Sequence, residues 1–248
     1  LLSATVSGIA EGLGTLPADH TIAYDAVIRL QNNQALQFRN LSSGLAFREV
    51  IGDCVGAVAM LLTNPYRKID VKALELDFEV MPKNSIAHIS SIDVSDLRVK
   101  AGEDIKVGVV IESYQARKRR IEFQVTVPKM TKPGKYLLSI GGLTDYLQQV
   151  RRKAPYRLLA RDIPTLMDAL DFLLNLKRDR LYCTLDLPAS GIAIEKTELP
   201  DLPASKALVI QDVKRTLRIQ PYQPWLEQTR AVGCVIANKQ GAQITVEE

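Results

Sequence analysis

Histidine is nearly missing from this chain, with only His20 and His88 among 248 residues. A catalytic serine needs an activating base, often on a glycine-flanked turn. With so few imidazoles and no Gly-x-Ser-x-Gly, Ser7-Gly8, Ser43-Gly44 and Ser190-Gly191 read as turn dipeptides. Cysteine is almost as scarce. Cys54, Cys183 and Cys234 are odd in number and far apart, with no CxxC pair, so neither a zinc site nor a disulfide framework is expected and no cofactor is implied. Their apolar neighbours suit small buried side chains. No apolar run approaches the roughly 18 residues of a membrane-spanning helix. An excess of one charge is missing too: 32 basic residues against 28 acidic ones give a net charge of +4, far from a nucleic-acid-binding profile. Leu1 opens the sequence without a basic and apolar leader, so the chain is expected to be cut from a longer precursor.

What is present is enough for a core. Hydrophobic residues make up 46% and charged residues 24%, and the length admits one large domain or two ordinary ones. Ala4 to Ala10, Thr21 to Leu30 and Ala35 to Phe38 read as strands, with Asn32-Asn33 as a turn because asparagine tolerates positive φ. From Phe47 to Leu62 the apolar period becomes helical, and Asn64-Pro65 ends it. Leu74, Leu76, Phe78 and Val80 then alternate with Glu75, Asp77 and Glu79, as in a half-buried strand. The same period recurs at Ile105 to Ile111 and Ile121 to Val127, with turns at Lys100 to Glu103 and Lys132 to Lys135. Gln148 to Arg161 reads as a basic connector. Asp162 and Pro164 open a second helix with Leu166, Ala169, Leu170, Leu173 and Leu176 on its apolar face. Leu181 to Leu187 is extended, Leu202 to Ser205 starts a segment of undetermined type, and Thr229 to Val246 reads as a hairpin turning near Gln240-Gly241.

Few residues carry a chemical signal. His20 lies in a loop and His88 in a strand-like run, so each reads as an ordinary loop or strand-face histidine. Asp162, Asp168 and Asp171, and Glu195 with Glu198, are carboxylates at spacings common on solvated surfaces. Gly12-Leu13-Gly14 lacks the third glycine of a dinucleotide-binding loop. Two features remain as an interaction surface. Arg117, Lys118, Arg119 and Arg120 form the densest basic run, either an anion-binding patch or a solvated hairpin connection. Trp225, set among Pro221, Tyr222, Gln223 and Pro224, is either a contact for a peptide or sugar or a packed loop anchor.

Several segments in order carry a family likeness: Leu61 to Tyr66; Ile92 to Glu103; Val127-Pro128 to Pro133-Gly134-Lys135-Tyr136; Asp179 to Tyr182; and Leu199 to Ser205. Together they resemble the region downstream of the peptidase domain in large bacterial proteins related to the stage IV sporulation protein B (SpoIVB-type) serine peptidases. The resemblance implies an immunoglobulin-like module, export from the cytoplasm, and a trypsin-like peptidase domain preceding it. The family's Gly-Met-Ser-Gly-Ser-Pro-like nucleophile motif does not occur, so no catalytic residue carries over.

These readings add up to a mainly β, α+β fold: an immunoglobulin-like β-sandwich over 69–142, an N-terminal β segment over 1–68 with a helix at 47–62, and a connector with a C-terminal α+β segment over 143–248. The expected role is that of a non-catalytic, extracytoplasmic accessory region. It would position or present substrate to a peptidase domain of the same polypeptide, or to another protein. The alternative is an independent module binding a protein, a peptide or the cell wall.

Overall fold

The computed structural model describes residues 17, 19–43, 47–113, 117–194, 196–200, 202 and 219–248, together with 4, 5, 8 and 12. In chain order these form β1 (Thr21–Leu30), β2 (Ala35–Ser43), α1 (Arg48–Leu62), β3 (Val71–Met81), β4 (Ile86–Val94), β5 (Arg98–Lys100), β6 (Asp104–Ser113), β7 (Arg119–Thr126) and β8 (Gly134–Gly141). There follow α2 (Leu143–Lys153), a 3-10 turn (Pro155–Leu158), α3 (Ile163–Asn175), β9 (Arg180–Asp186), β10 (Ile192–Ile194), β11 (Thr197–Leu199), β12 (Ile219–Pro221), β13 (Trp225–Ala231), β14 (Val235–Ile236) and β15 (Gln240–Glu247). The fold is therefore mainly β with helices added, as the alternating segments require.

The chain divides into two compact units, one of residues 1–87, 160–180 and 232–235, the other of 88–159, 181–231 and 236–248. In the first, β1 is central to an antiparallel sheet of order β2-β1-β3. Its alternate residues Ile22, Tyr24, Ala26, Ile28 and Leu30 are almost fully buried under Val50, Cys54, Ala57 and Leu61 of α1 and Leu166, Leu170 and Leu174 of α3. The turn between β1 and β2 sets Asn33 at φ 66°, the left-handed region asparagine tolerates. Phe47 caps α1 at φ 52° with no side-chain hydrogen bond; its buried ring meets Phe78 edge-on with centroids 5.0 Å apart, a packing contact that holds the unusual backbone.

The second unit contains nearly all of a five-stranded sheet of order β13-β9-β8-β15-β5, most of a four-stranded sheet of order β14-β4-β6-β7 and a small sheet of order β11-β10-β12. Ile105, Val107, Val109 and Ile111 of β6 and Phe123 and Val125 of β7 form a buried face of the four-stranded sheet. Gly102, at φ 94°, makes the turn into β6 that its position in the sequence suggests.

Three expectations change. Of the segment Ala4 to Ala10, the described residues Ala4, Thr5 and Gly8 are helical, not extended. The basic connector begins as helix: α2 buries Leu143, Tyr146, Val150 and Lys153, an inward stripe that its charged residues conceal from a hydropathy reading. The terminal hairpin is absent among the described residues, because β15 pairs with β8 and β5 while β13 lies beyond β9. The stretch 69–142 is shared between units: β3 pairs with β1, and the later strands belong to the sheets of the second unit. Most of Leu202 to Ser205 lies outside the described residues, as does Glu195.

Candidate functional site

The chemistry of the second unit concentrates where α2 crosses the five-stranded sheet. β9 is buried on both faces, with Leu181, Cys183 and Leu185 on one and Tyr182 and Thr184 on the other. The second face meets α2 in three steps. Tyr146 stacks on Tyr182 with centroids 4.5 Å apart. The Thr184 hydroxyl donates to Gln149 Oε1 at 2.9 Å. The ammonium of Lys153, whose side chain is 2% exposed, lies against the Asp186 carboxylate. A helix advances about 1.5 Å per residue and a strand about 3.3 Å, so helix positions 146, 149 and 153 keep pace with strand positions 182, 184 and 186. A polar cavity of about 140 Å³ beside this ladder is lined by Asp145, Gln149, Arg152, Thr184, Asp186 and Lys239 among others.

From Tyr146 the contacts continue outward. Its hydroxyl donates to Glu227 Oε2 at 2.7 Å, and the indole N–H of Trp225 reaches the same oxygen at 3.0 Å. The Arg157 guanidinium covers the Trp225 ring at 4.9 Å from the centroid and also bonds Glu198 Oε1 at 3.3 Å. The Tyr156 hydroxyl donates to that Glu198 oxygen at 2.7 Å. Half-buried Trp225 and Tyr222 pack on a small core of Ala154, Tyr156 and Ala193. The only tryptophan and four of the eight tyrosines thus stand in one chain of contacts.

Burial pushes the hydroxyls of Tyr146 and Tyr156 well above their ordinary range, and the carboxylates they donate to add to the effect. For Glu198, burial opposes ionisation, but hydrogen bonds from Tyr156, Tyr222 and Arg157 outweigh it and hold the carboxyl below its usual range. The phenols therefore remain neutral donors and Glu198 an anion at neutral pH. That state fixes the rings in place.

Tyr156, Arg157, Tyr222, Pro224, Trp225 and Glu227 line a cavity of about 180 Å³. Pro224 also borders a second cavity of about 240 Å³ whose walls combine Pro128, Met130, Leu187 and Pro188 with Thr131, Lys132 and Ser190. Met130 is 92% exposed there, a large apolar side chain with little of its surface covered. Two neighbouring cavities that share Pro224, one walled by aromatic rings and one largely by apolar side chains, suit an extended chain, which sets side chains in pockets along its length.

Of the residues singled out from sequence, Trp225 lies at the centre of this site and Arg117, Lys118, Arg119 and Arg120 do not line it. Those four are exposed, at the connection into β7 and its first two residues. Lys118 pairs with Glu112 at 3.3 Å and Arg120 with Asp93 at 3.1 Å, both on the surface. His20 is buried, with Nδ1 2.7 Å from the Pro17 carbonyl, and His88 is exposed on β4. Asp162 caps α3. Sequence reading missed Tyr146, Tyr156, Arg157 and Glu227 and set Glu198 aside as a commonplace carboxylate. The available signal was the density of aromatics and prolines from Pro221 to Trp225, together with Tyr156 inside a basic run. No family model, curated protein or solved structure matches the chain.

Proposed function

We propose that this chain is a non-catalytic binding module that holds an extended segment of a protein partner in the groove running from Trp225 past Pro224 to Met130. The observation that carries the reading is the pair of cavities that share Pro224, one lined by the aromatic cluster and the other bordered by an exposed methionine. Tyrosine, tryptophan and methionine are the side chains that most often anchor protein contacts, because they bury large areas with few rotors or adapt their shape. The two larger sheets of the second unit are read as the faces of an immunoglobulin-like sandwich that presents this groove. On the SpoIVB-type resemblance the module serves as an accessory region of an exported, peptidase-like protein, and the bound segment is a substrate or a neighbouring domain. That context rests on the resemblance alone.

A single tryptophan makes the test direct, since intrinsic tryptophan emission reports Trp225 only. A random twelve-residue phage library panned on the full chain is expected to yield peptides that shift this emission. Their synthetic versions should bind at least tenfold more weakly to Tyr222→Ala and Met130→Ser and unchanged to Arg119→Glu. Peptides that bind all variants alike, or that lose affinity only with Arg119→Glu, would move the site elsewhere. Cleavage of casein by the purified chain would overturn the non-catalytic part of the reading.

A further inference from the structure

The sheet of the first unit treats its two edges differently. Along β2 two backbone acceptors are covered, with Lys177 Nζ reaching the Arg39 carbonyl at 2.8 Å and Asn175 Nδ2 the Gln37 carbonyl at 3.4 Å, while the Asn40 side-chain oxygen takes the Arg178 N–H at 2.8 Å and holds that segment beside the strand. Along β3 no described strand pairs with the edge away from β1. In an antiparallel strand, alternate residues turn their N–H and C=O groups away from the neighbour, so an eleven-residue edge offers a long row of donors and acceptors. Folded proteins usually blunt such edges with short strands, charged side chains, prolines, bulges or cover, and of these β3 carries the charges Lys72, Glu75, Asp77 and Glu79, which repel partners of like charge and admit one of opposite charge. β3 has no proline, and its irregularity falls at its beginning, opposite Arg29 and Leu30.

The side chains of β3 are incomplete in the same direction. Leu74, Leu76, Phe78 and Val80 point toward the core but are only half-buried, whereas their partners on β1, Ile28, Ala26, Tyr24 and Ile22, are at most 1% exposed. Among the described residues no strand completes the cover over the core along this edge. On the opposite face Glu75, Asp77 and Glu79 are exposed. Glu75 is neutralised by Arg29 at 2.6 Å. Asp77 instead sits opposite Asp25, a like charge that has Arg39 opposite it on β2, and no salt bridge among the described residues includes Asp77 or Glu79. Like charges directly opposite are destabilising in a sheet, and an added strand puts its own side chains about 5 Å away.

We propose that β3 is a docking edge that pairs with an extended protein segment in which apolar residues alternate with lysine or arginine. Its apolar side chains would complete the cover over Leu74, Leu76, Phe78 and Val80, while its basic ones would face Asp77 and Glu79. A second copy of this chain does not fit, because pairing β3 with itself aligns acidic residues with acidic residues. The inference is independent of the groove at Trp225, which lies on the other unit.

The test uses the full chain and two eleven-residue probes, one alternating valine and threonine with lysine, the other with glutamate in place of lysine. The lysine probe is expected to slow amide hydrogen exchange within Val71–Met81 and to bind at least tenfold more tightly than the glutamate probe. The double variant Asp77→Lys with Glu79→Lys, both at exposed positions, should reverse that preference. Equal affinity for both probes, protection on another strand, or a self-associated dimer abolished by the same double variant would each overturn the proposal. Loss of peptide binding by Tyr222→Ala would leave this result unchanged, so the two readings fail separately.

Discussion

Arg178 shows how much one side chain can organise. Its guanidinium forks onto Asp53, Nη1 to Oδ2 at 2.8 Å and Nη2 to Oδ1 at 2.9 Å, and Nη1 also meets the Tyr24 hydroxyl at 2.8 Å. Tyr24 in turn donates to Asp53. A bidentate pair is the strong form of a charge-assisted hydrogen bond. It joins α1, β1 and the segment after α3, whose backbone is also held by Asn40 through the Leu176 carbonyl at 2.8 Å. Burial pushes the Tyr24 hydroxyl up, reinforced by Asp53, so the phenol stays protonated. Removing one partner leaves a charge without its counterpart in a site where the side chains of Arg178 and Asp53 are only 18% and 20% exposed. Arg178→Ala and Asp53→Ala should each cost roughly 2–3 kcal/mol, below the full penalty for a completely buried pair. The double variant should cost about 1 kcal/mol or more less than the sum of the two, because the second removal no longer strands a charge. Urea denaturation of the four proteins measures this; additive losses would mean that the pair contributes no coupling.

At the scale of the element, what the sequence discloses depends on whether its signal is local. α3 announces itself through Asp162, whose Oδ1 takes the Thr165 N–H at 2.8 Å, and through the Thr165 Oγ1 that takes the Asp162 N–H at 3.2 Å. This is a reciprocal capping box with proline in the first turn, spelled by neighbouring residues. Asp162→Ala should therefore lower stability by about 1 kcal/mol, with Asp162→Asn close to neutral, as read from thermal unfolding. An equal loss in both would show that charge, not cap geometry, matters. The strand from Leu74 to Val80 is legible for the same reason, since alternation is written within seven residues. Its partner is not legible, because its pattern of apolar side chains would fit either sheet. α2 fails the local reading since its inward stripe includes Tyr146 and Lys153, and Lys153 is buried only because β9 supplies Asp186. The candidate site fails it more completely. Arg157, Glu198 and Glu227 are ordinary surface residues in the text and become a cluster only when β13 and the small sheet bring distant segments together.

For the whole molecule, long-range pairing decides what can stand alone. β8 lies between β9 and β15, and β15 runs parallel to β5 with Arg98 opposite Thr245 and Lys100 opposite Glu247. The stretch 69–142 contains β8 and β5 but neither of the strands between which β8 sits, and it contains β3 without β1. Cut out, it would keep β4, β6 and β7 but lose β14 from their sheet, and it would leave β3, β5 and β8 without the strands they pair with. At about 25 cal/mol per Å² of apolar area, stripping Leu74, Leu76, Phe78 and Val80 of the β1 and α1 residues they pack against removes several kcal/mol, a large part of the stability of a small domain. The isolated fragment 69–142 should therefore show narrow amide dispersion by NMR and no cooperative urea transition, whereas the full chain should show both dispersion and cooperativity. The cysteines give a second readout of the same state: Cys54, Cys183 and Cys234 are all buried, and burial pushes Cys54 and Cys183 up to about 12, so the native chain should resist a thiol reagent that modifies all three after unfolding. A fragment that unfolds cooperatively would mean that 69–142 encloses a core of its own, and that the returning strands decorate that core without completing it.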